Sequence, residues 1–224
     1  MSHFLTMDLI LMKMKEFKYL SLIFSLIILQ ILFGCGDSNS DDISIKELNY
    51  SDNIKIIKRS EWGWKQLENK KAEAEIKKIT IHHGGVEFTR EKDSQEALRN
   101  LQQWSREEKG WIDIPYHFMI DLDGFIYEAR PINYPGDTNT EYDPTGHALV
   151  EVMGNYEIQT LSESQLSSLI DIIVFLSREF DVPLSEIKTH KDYSSITDCP
   201  GVNIYKYFQD GTILSEVRKR LEGK

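Results

Sequence analysis

Side chains that could bind a metal ion are concentrated in the part of the chain after residue 80. The candidates are His82, His83, His117, His147, His190 and Cys199. Zinc in enzymes prefers imidazole nitrogen and thiolate sulfur, and a catalytic zinc takes three protein ligands and keeps one position for water. Two histidines and one cysteine would meet that requirement. The same residues are also compatible with a buried thiol and with histidines that are solvated or hydrogen-bonded in the core. Residue types alone therefore leave both interpretations open.

The elements that would position these ligands can be read from the local pattern. In residues 79–85, ITIHHGG, apolar and polar side chains alternate up to a histidine pair, and two glycines then break the alternation. This pattern predicts a strand that ends in a sharp turn and holds an imidazole at a rigid edge. Residues 187–190, IKTH, form a second short stretch that leads to a histidine, His190. Cys199 follows nine positions later in a loop, so it can converge with His190 on one ion.

The rest of the sequence alternates between strand and helix patterns. The segments with helical periodicity are residues 93–109, 162–180 and 214–221. Ser162 and Gln165 have the spacing of a capping box, and Asp123-Gly124 between two alternating apolar runs predicts an antiparallel hairpin. We therefore predict an α/β fold with a mixed central sheet and helices on both faces.

Composition limits the classes of partner. The chain has 224 residues, of which 41% are hydrophobic and 28% charged, so it can form a sizeable core. Its formal net charge is −10, which argues against nucleic acid and against a mainly electrostatic attachment to anionic lipid. We expect a monomer.

The first segment has the pattern of a targeting sequence. Lysines precede an apolar run at residues 19–33, and the sequence LFGC then ends at Cys35. This arrangement resembles a bacterial lipoprotein signal, which implies a signal peptide over residues 1–34 and a lipid on Cys35. An uncleaved signal anchor is the alternative. Residues 35–54 are polar and predict a tether, so the remaining 55–224 form the predicted domain. We expect a lipid-anchored protein of the cell envelope, either periplasmic or at the outer membrane.

Four stretches resemble signature motifs of the zinc-dependent N-acetylmuramoyl-L-alanine amidases, a family that includes the peptidoglycan recognition proteins. In order along the chain they are KRSEWGW, ITIHHGG, WIDIPYHFMIDLDGFIYEAR and THKDYSSITDCPG. The resemblance implies Zn²⁺ as cofactor and peptidoglycan or muropeptides as partners. It further implies hydrolysis of the amide bond between N-acetylmuramic acid and L-alanine of the stem peptide.

The resemblance also implies roles for individual residues. His82, His190 and Cys199 match the zinc ligands. Tyr116 matches the catalytic tyrosine, whose hydroxyl would donate to the developing oxyanion. Thr197 lies at a position near the attacking water, where family members carry threonine or lysine. Bound zinc would lower the pKa of that water to about 7.

Weaker expectations concern the surroundings of the centre. Trp111, His117 and Arg130 are expected to line the sugar–peptide groove, although Trp111 could equally be core and Arg130 part of a surface ion pair. Asp192 and Asp198 are expected to accept the outward N–H of a ligand histidine, as carboxylates near metal sites commonly do.

Three regions depart from the family pattern, of which the first is the loop from His190 to Cys199, one residue longer than the common family form. Residues 131–150 are irregular, so no groove residue is carried over there, and Gly84-Gly85 replace the more frequent residues after the histidine pair. Two other functions remain open. One is a non-hydrolytic peptidoglycan-binding module, and the other is an exported amidase directed against competitors.

Overall fold

A mixed sheet forms the centre of the computed structural model, which describes residues 45–50, 54–67 and 74–223. Its six strands are β1 (Ile56–Ile57), β2 (Lys78–His83), β3 (Phe118–Ile120), β4 (Ile126–Glu128), β5 (His147–Val152) and β6 (Ile187–Thr189). The strand order is β1-β4-β3-β5-β2-β6. Strands β3 and β4 pair antiparallel across the predicted hairpin, whereas the other neighbouring pairs are parallel.

Five helices accompany the sheet within the described residues. They are α1 (Arg59–Trp62), α2 (Ser94–Glu107), α3 (Glu163–Phe180), α4 (Val202–Gln209) and α5 (Thr212–Leu221), with short 3-10 helices at Leu184–Glu186 and His190–Asp192. Helix α3 begins at the predicted capping box, in which the Ser162 hydroxyl accepts from the Gln165 backbone N–H at 3.2 Å. It ends at Asp181, which adopts a left-handed conformation with φ 53°.

The two faces of the sheet pack against different helices. Ile79 and Ile81 of β2 belong to the main core, together with α3 residues such as Leu169. On the opposite face, Met119 of β3 packs with Leu98 of α2 in a second core. The predicted mixed sheet with helices on both faces is confirmed. Because side chains alternate along a strand, the β2 histidine at position 82 lies on the α2 side of the sheet.

Residues 45–50 pack on the domain, although they lie within the stretch 35–54 that was predicted to be a tether. Leu48 is buried in the main core, and the Tyr50 hydroxyl donates to the Glu128 carboxylate. The polar composition of the segment suggested a free linker. Two further contacts join Leu48 and Tyr50 in this packing. Glu47 accepts from the Arg59 guanidinium at 3.0 Å, and the Lys46 backbone N–H donates to the Asn133 side chain at 3.1 Å.

The predicted signal peptide over residues 1–34 and the lipid-bearing Cys35 lie outside the described residues and stay predictions. In the part of the chain that the structure describes, none of the helices combines the length and apolar character needed to cross a membrane.

Candidate metal centre and active site

Three side chains from separate elements meet at the predicted metal centre. His82 comes from β2, His190 opens the 3-10 helix after β6, and Cys199 lies in the loop before α4. One ligand atom of each residue lies within 4.8 Å of the others, and all three residues are buried. The two imidazole rings are 4.6 Å apart between centroids. The structure therefore brings together the three residues that the family motifs indicated as ligands.

The spacing of these atoms fits a zinc ion. With Zn–N of about 2.1 Å and Zn–S of about 2.3 Å, tetrahedral geometry separates nitrogen and sulfur by about 3.6 Å. The Cys199 Sγ lies 3.6 Å from Nδ1 of His82. Two nitrogens and one sulfur are also the donor types that zinc prefers, and three ligands leave a fourth position for water.

The protonation states at the centre follow from burial. Burial raises the pKa of the Cys199 thiol to about 12, although the backbone N–H of His83, which lies 3.3 Å from Sγ, partly offsets that rise. Burial lowers the pKa of His190 to about 4 and holds the pKa of His82 well below its ordinary value. Both imidazoles are therefore neutral, the form that binds metals, and the thiol would release its proton on metal binding.

The Nε2 atoms of both candidate ligand histidines contact hydroxyl groups of one loop. The Tyr142 hydroxyl lies 3.2 Å from Nε2 of His82, and the Thr140 hydroxyl lies 2.7 Å from Nε2 of His190. Both hydroxyls belong to the region 131–150, for which the sequence supported no assignment.

The aspartates that were expected in this position have other partners. The Asp192 carboxylate accepts from the backbone N–H and hydroxyl of Thr189 at 2.7 and 2.8 Å. Asp198 accepts from the ammonium of Lys191 at 2.9 Å. The expectation that either contacts a ligand histidine is therefore wrong. Asp192 instead caps the 3-10 helix at His190–Asp192, and Asp198 forms an exposed ion pair.

Glu151 is a site residue that the sequence analysis missed. It pairs in register with His82 across β5 and β2, is buried, and its Oε2 has no hydrogen-bond partner. Burial raises the pKa of this carboxyl group to about 8. A Cβ atom on Gly84 would lie 2.7 Å from Oε1, which explains why a glycine follows the histidine pair. The available signal was a glutamate inside HALVEV, a strand that is otherwise nearly all apolar.

Tyr116 and Thr197 lie next to the ligands. The Tyr116 ring centroid is 5.2 Å from that of His82. Burial raises the pKa of the Tyr116 hydroxyl well above its ordinary value, and the nearby charges of Cys199 and Glu151 raise it further. The half-buried Thr197 hydroxyl accepts from the Cys199 backbone N–H at 3.1 Å, which holds the ligand loop.

Comparison with known proteins identifies the family. The family model for N-acetylmuramoyl-L-alanine amidase, Amidase_2, matches residues 72–202, a segment that contains all three candidate ligands. The chain belongs to this amidase family.

The relatives of this amidase-family protein include peptidoglycan recognition proteins. Peptidoglycan-recognition protein SC2 of Drosophila melanogaster is 30% identical over 155 residues, which cover 68% of this chain and 83% of the relative. Peptidoglycan recognition protein 1 of Mus musculus is 30% identical over 158 residues, which cover 69% and 86%. The crystal structure of Drosophila recognition protein SD shares the fold, with a TM-score of 0.62 at 21% identity over 70% of this chain and 94% of that structure.

His117 has a structural role in this amidase-family protein instead of the predicted role in substrate binding. It is buried, its Nε2 lies 2.9 Å from the Tyr134 carbonyl oxygen, and its Nδ1 accepts from the Leu149 backbone N–H at 2.9 Å. Burial lowers the pKa of this imidazole to about 3. Because both nitrogens are engaged, none remains for a substrate.

Arg130 is likewise structural, although it was predicted to line the groove. Its side chain is 1% exposed. Its guanidinium donates to the carbonyl oxygens of Ile114, Pro135 and Asp113 and to the Asp137 carboxylate. It therefore ties the segment after β4 to the chain before β3.

The third predicted groove residue, Trp111, lies beside helix α2. Its ring meets that of Trp104 edge-on at 6.0 Å, and the Lys109 ammonium is 5.7 Å from its centroid. Trp111 is half-buried, and Trp104 is 42% exposed. This aromatic pair is available at the surface, and its predicted contact with the substrate stays a prediction.

Proposed function

We propose that this protein is a zinc-dependent hydrolase that cleaves the amide bond between N-acetylmuramic acid and the L-alanine of the peptidoglycan stem peptide. The observation that carries the proposal is the convergence of His82, His190 and Cys199 within 4.8 Å, beside the unpartnered Glu151 carboxyl group. The family match supports the same reaction class. Bound zinc would supply a Lewis acid that lowers the pKa of water to about 7 and polarises a carbonyl.

Glu151 is the chain's own candidate for moving the proton. At a pKa of about 8 only a minor fraction of Glu151 is ionised at pH 7, and its buried Oε2 has no hydrogen-bond partner, so that ionised fraction can accept a proton from the attacking water. The water oxygen bonds to the amide carbon, the proton passes from Glu151 to the amide nitrogen, and the C–N bond then breaks. The products are a carboxylic acid and a free amine.

Tyr116 and Thr197 act on the oxygen atoms of this step. The raised pKa of Tyr116 keeps its hydroxyl protonated at neutral pH, so it can donate to the carbonyl oxygen as negative charge develops there. Loss of one such donor typically costs about 3–4 kcal/mol. Thr197 accepts from Cys199 and retains its own hydroxyl proton to orient the water.

The decisive experiment changes one ligand and measures metal content and hydrolysis together. Cys199→Ser is expected to lose bound zinc and hydrolysis in parallel, as followed by elemental analysis and by mass spectrometry of products from purified sacculi. Tyr116→Phe is the matched variant. It should keep its zinc and lose turnover by about 10²–10³-fold. Full hydrolysis by the Cys199 variant would rule out the proposed zinc chemistry.

A second candidate function is binding of peptidoglycan without hydrolysis, which the recognition proteins among the relatives support. Such a protein would be retained on sacculi and would release no stem peptide. The same digest separates the two functions, because only the amidase produces free peptides with an L-alanine N-terminus.

We also propose that a lipid on Cys35 anchors the domain in the cell envelope, on the strength of the signal-like segment before it. Two or three acyl chains would suffice for stable attachment. Mass spectrometry of the N-terminal peptide from the membrane fraction should find the acylated cysteine. Cys35→Ala should move the protein out of that fraction, and an unchanged distribution would contradict the anchor.

A further inference from the structure

One loop supplies a contact to each ligand histidine. In the segment of residues 137–145, the Tyr142 hydroxyl lies 3.2 Å from Nε2 of His82. The Thr140 hydroxyl lies 2.7 Å from Nε2 of His190. We call Thr140 and Tyr142 the hydroxyl pair.

The structure holds both members of the hydroxyl pair in place. The Tyr142 ring stacks on Tyr193 with a centroid distance of 5.6 Å and an interplanar angle of 20°. The Thr140 hydroxyl lies 2.9 Å from that of Thr138, whose oxygen also accepts the Thr140 backbone N–H at 3.2 Å. Between them, Glu141 accepts from the Ser194 hydroxyl at 2.8 Å.

These contacts bear on which ring nitrogen faces the metal. A neutral imidazole has one protonated nitrogen and one nitrogen with a free lone pair, and a hydrogen bond at one nitrogen decides the state of the other. In His82, Nδ1 faces the Cys199 sulfur at 3.6 Å and Nε2 faces Tyr142. If the hydroxyl oxygen accepts a proton from Nε2–H, the lone pair of Nδ1 is directed at the metal position. In His190 the Thr140 hydroxyl contacts Nε2 at 2.7 Å, so the same donor and acceptor roles would leave the lone pair on Nδ1 as the one available to a metal.

We propose that Thr140 and Tyr142 are positioning residues of the metal centre that select Nδ1 as the ligand atom of both histidines. The inference rests on the proposed zinc centre. It adds that the loop before β5, rather than the aspartates near the ligands, sets the tautomer and the orientation of the rings.

Zinc affinity tests this role without using catalysis. Tyr142→Phe and Thr140→Val each remove a hydroxyl and keep the shape of the side chain, so the stacking on Tyr193 is retained. Each is expected to raise the zinc dissociation constant by about 10–100-fold in a chelator competition assay. Thr140→Ser restores a hydroxyl and should restore most of the affinity.

Matched controls carry the same chemical change away from the histidines. Thr145→Val alters the same loop at an exposed residue, and Tyr205→Phe removes a hydroxyl that contacts Asp192. Both should bind zinc as the wild type does. Thermal unfolding of the metal-free variants separates loss of the metal contact from loss of the fold.

Histidine nitrogen NMR of the zinc-loaded protein gives the second readout. The expected spectrum has zinc on Nδ1 and a proton on Nε2 of both His82 and His190. Zinc on Nε2 of either ring, or wild-type affinity in both Tyr142→Phe and Thr140→Val, would overturn the inference. A wild type that binds zinc but cleaves no muropeptide would refute the proposed hydrolase. The zinc dissociation constants of the variants relative to the wild type would still test the role of Thr140 and Tyr142. A wild type without zinc affinity would overturn both.

Discussion

Two clusters of buried polar side chains in this domain differ in how completely their atoms are hydrogen-bonded. In the paired cluster, Asp113, His117 and Arg130, each side chain is engaged. The Asp113 carboxylate, for example, accepts from the side chains of Gln102 and Trp64 at 2.7 and 2.8 Å. In the open cluster, His82, Glu151 and Cys199, one carboxylate oxygen has no partner and the thiol has only weak contacts.

The difference distinguishes side chains whose polar atoms are all engaged from side chains that keep a polar atom without a partner. Buried polar atoms are nearly always hydrogen-bonded, so an unpartnered one requires an explanation. The paired cluster stabilises the structure by satisfying its own charges. The open cluster has a neutral imidazole and a largely protonated carboxyl group at pH 7, and under the proposed function a cation and a water molecule would complete its contacts.

The largest expected effect is on turnover and comes from the open cluster. Glu151→Gln keeps the shape of the side chain but cannot accept a proton, so kcat on muropeptides should fall by about 10²–10⁴-fold. Zinc content and the free energy of unfolding at pH 7 should not fall. Turnover within twofold of the wild type would show that the unpartnered oxygen has no part in the reaction.

The largest expected effect on stability comes from the paired cluster. Arg130→Leu leaves the Asp137 carboxylate and three carbonyl oxygens without their donor, and the free energy of unfolding should fall by about 3–5 kcal/mol. Urea denaturation of the metal-free protein measures it. The control is Arg90→Leu, because Arg90 forms an exposed ion pair with Asp123 and its removal should leave stability unchanged. Equal effects of the two changes would contradict the assigned role.

Two groups, His117 of the paired cluster and Glu151 of the open cluster, should respond to pH with opposite signs in the metal-free protein. The pKa of His117 falls from 6.5 to about 3 on folding, so its contribution to stability is present above pH 6.5 and is lost as the pH falls towards 3. The pKa of Glu151 rises from 4.5 to about 8, so its contribution is present below pH 4.5 and is lost as the pH rises towards 8. Each limiting slope is about 1.4 kcal/mol per pH unit.

Denaturation curves from pH 4 to 8 check this pair of slopes. Glu151→Gln should remove only the loss on the alkaline side, and the ring protons of His117 should show no titration by NMR above pH 4. Parallel pH profiles for the wild type and the Glu151 variant would contradict the raised pKa of Glu151.

The smallest effect concerns the space between Gly84 and Glu151. Gly84→Ala brings a Cβ to 2.7 Å from the carboxylate oxygen, and the free energy of unfolding should fall by about 1–3 kcal/mol. Combining it with Glu151→Ala should recover most of that loss, which a double-mutant cycle measures as coupling. Gly85→Ala is strained at φ 71°, but its nearest new contact is His83, so it should not couple to Glu151.

Local sequence patterns were enough to predict several elements and the candidate metal-binding residues. The alternating run before His82, the Asp123-Gly124 hairpin and the Ser162 capping box depend only on neighbours in the chain, and each is present in the structure. The candidate ligand residues were identified from sequence motifs, because residue type and spacing can be read without knowing the fold.

The surroundings of the candidate ligands depend on how the chain packs. Glu151 meets His82 only because β5 lies beside β2 in that register, and Tyr142 reaches the same ring from 60 residues away. Arg130 and His117 had chemistry suited to a groove, but the fold buried them and satisfied their donors and acceptors. Which polar atom finds a partner is a property of the packed chain, because hydrogen bonds between distant segments leave no periodic pattern in the sequence.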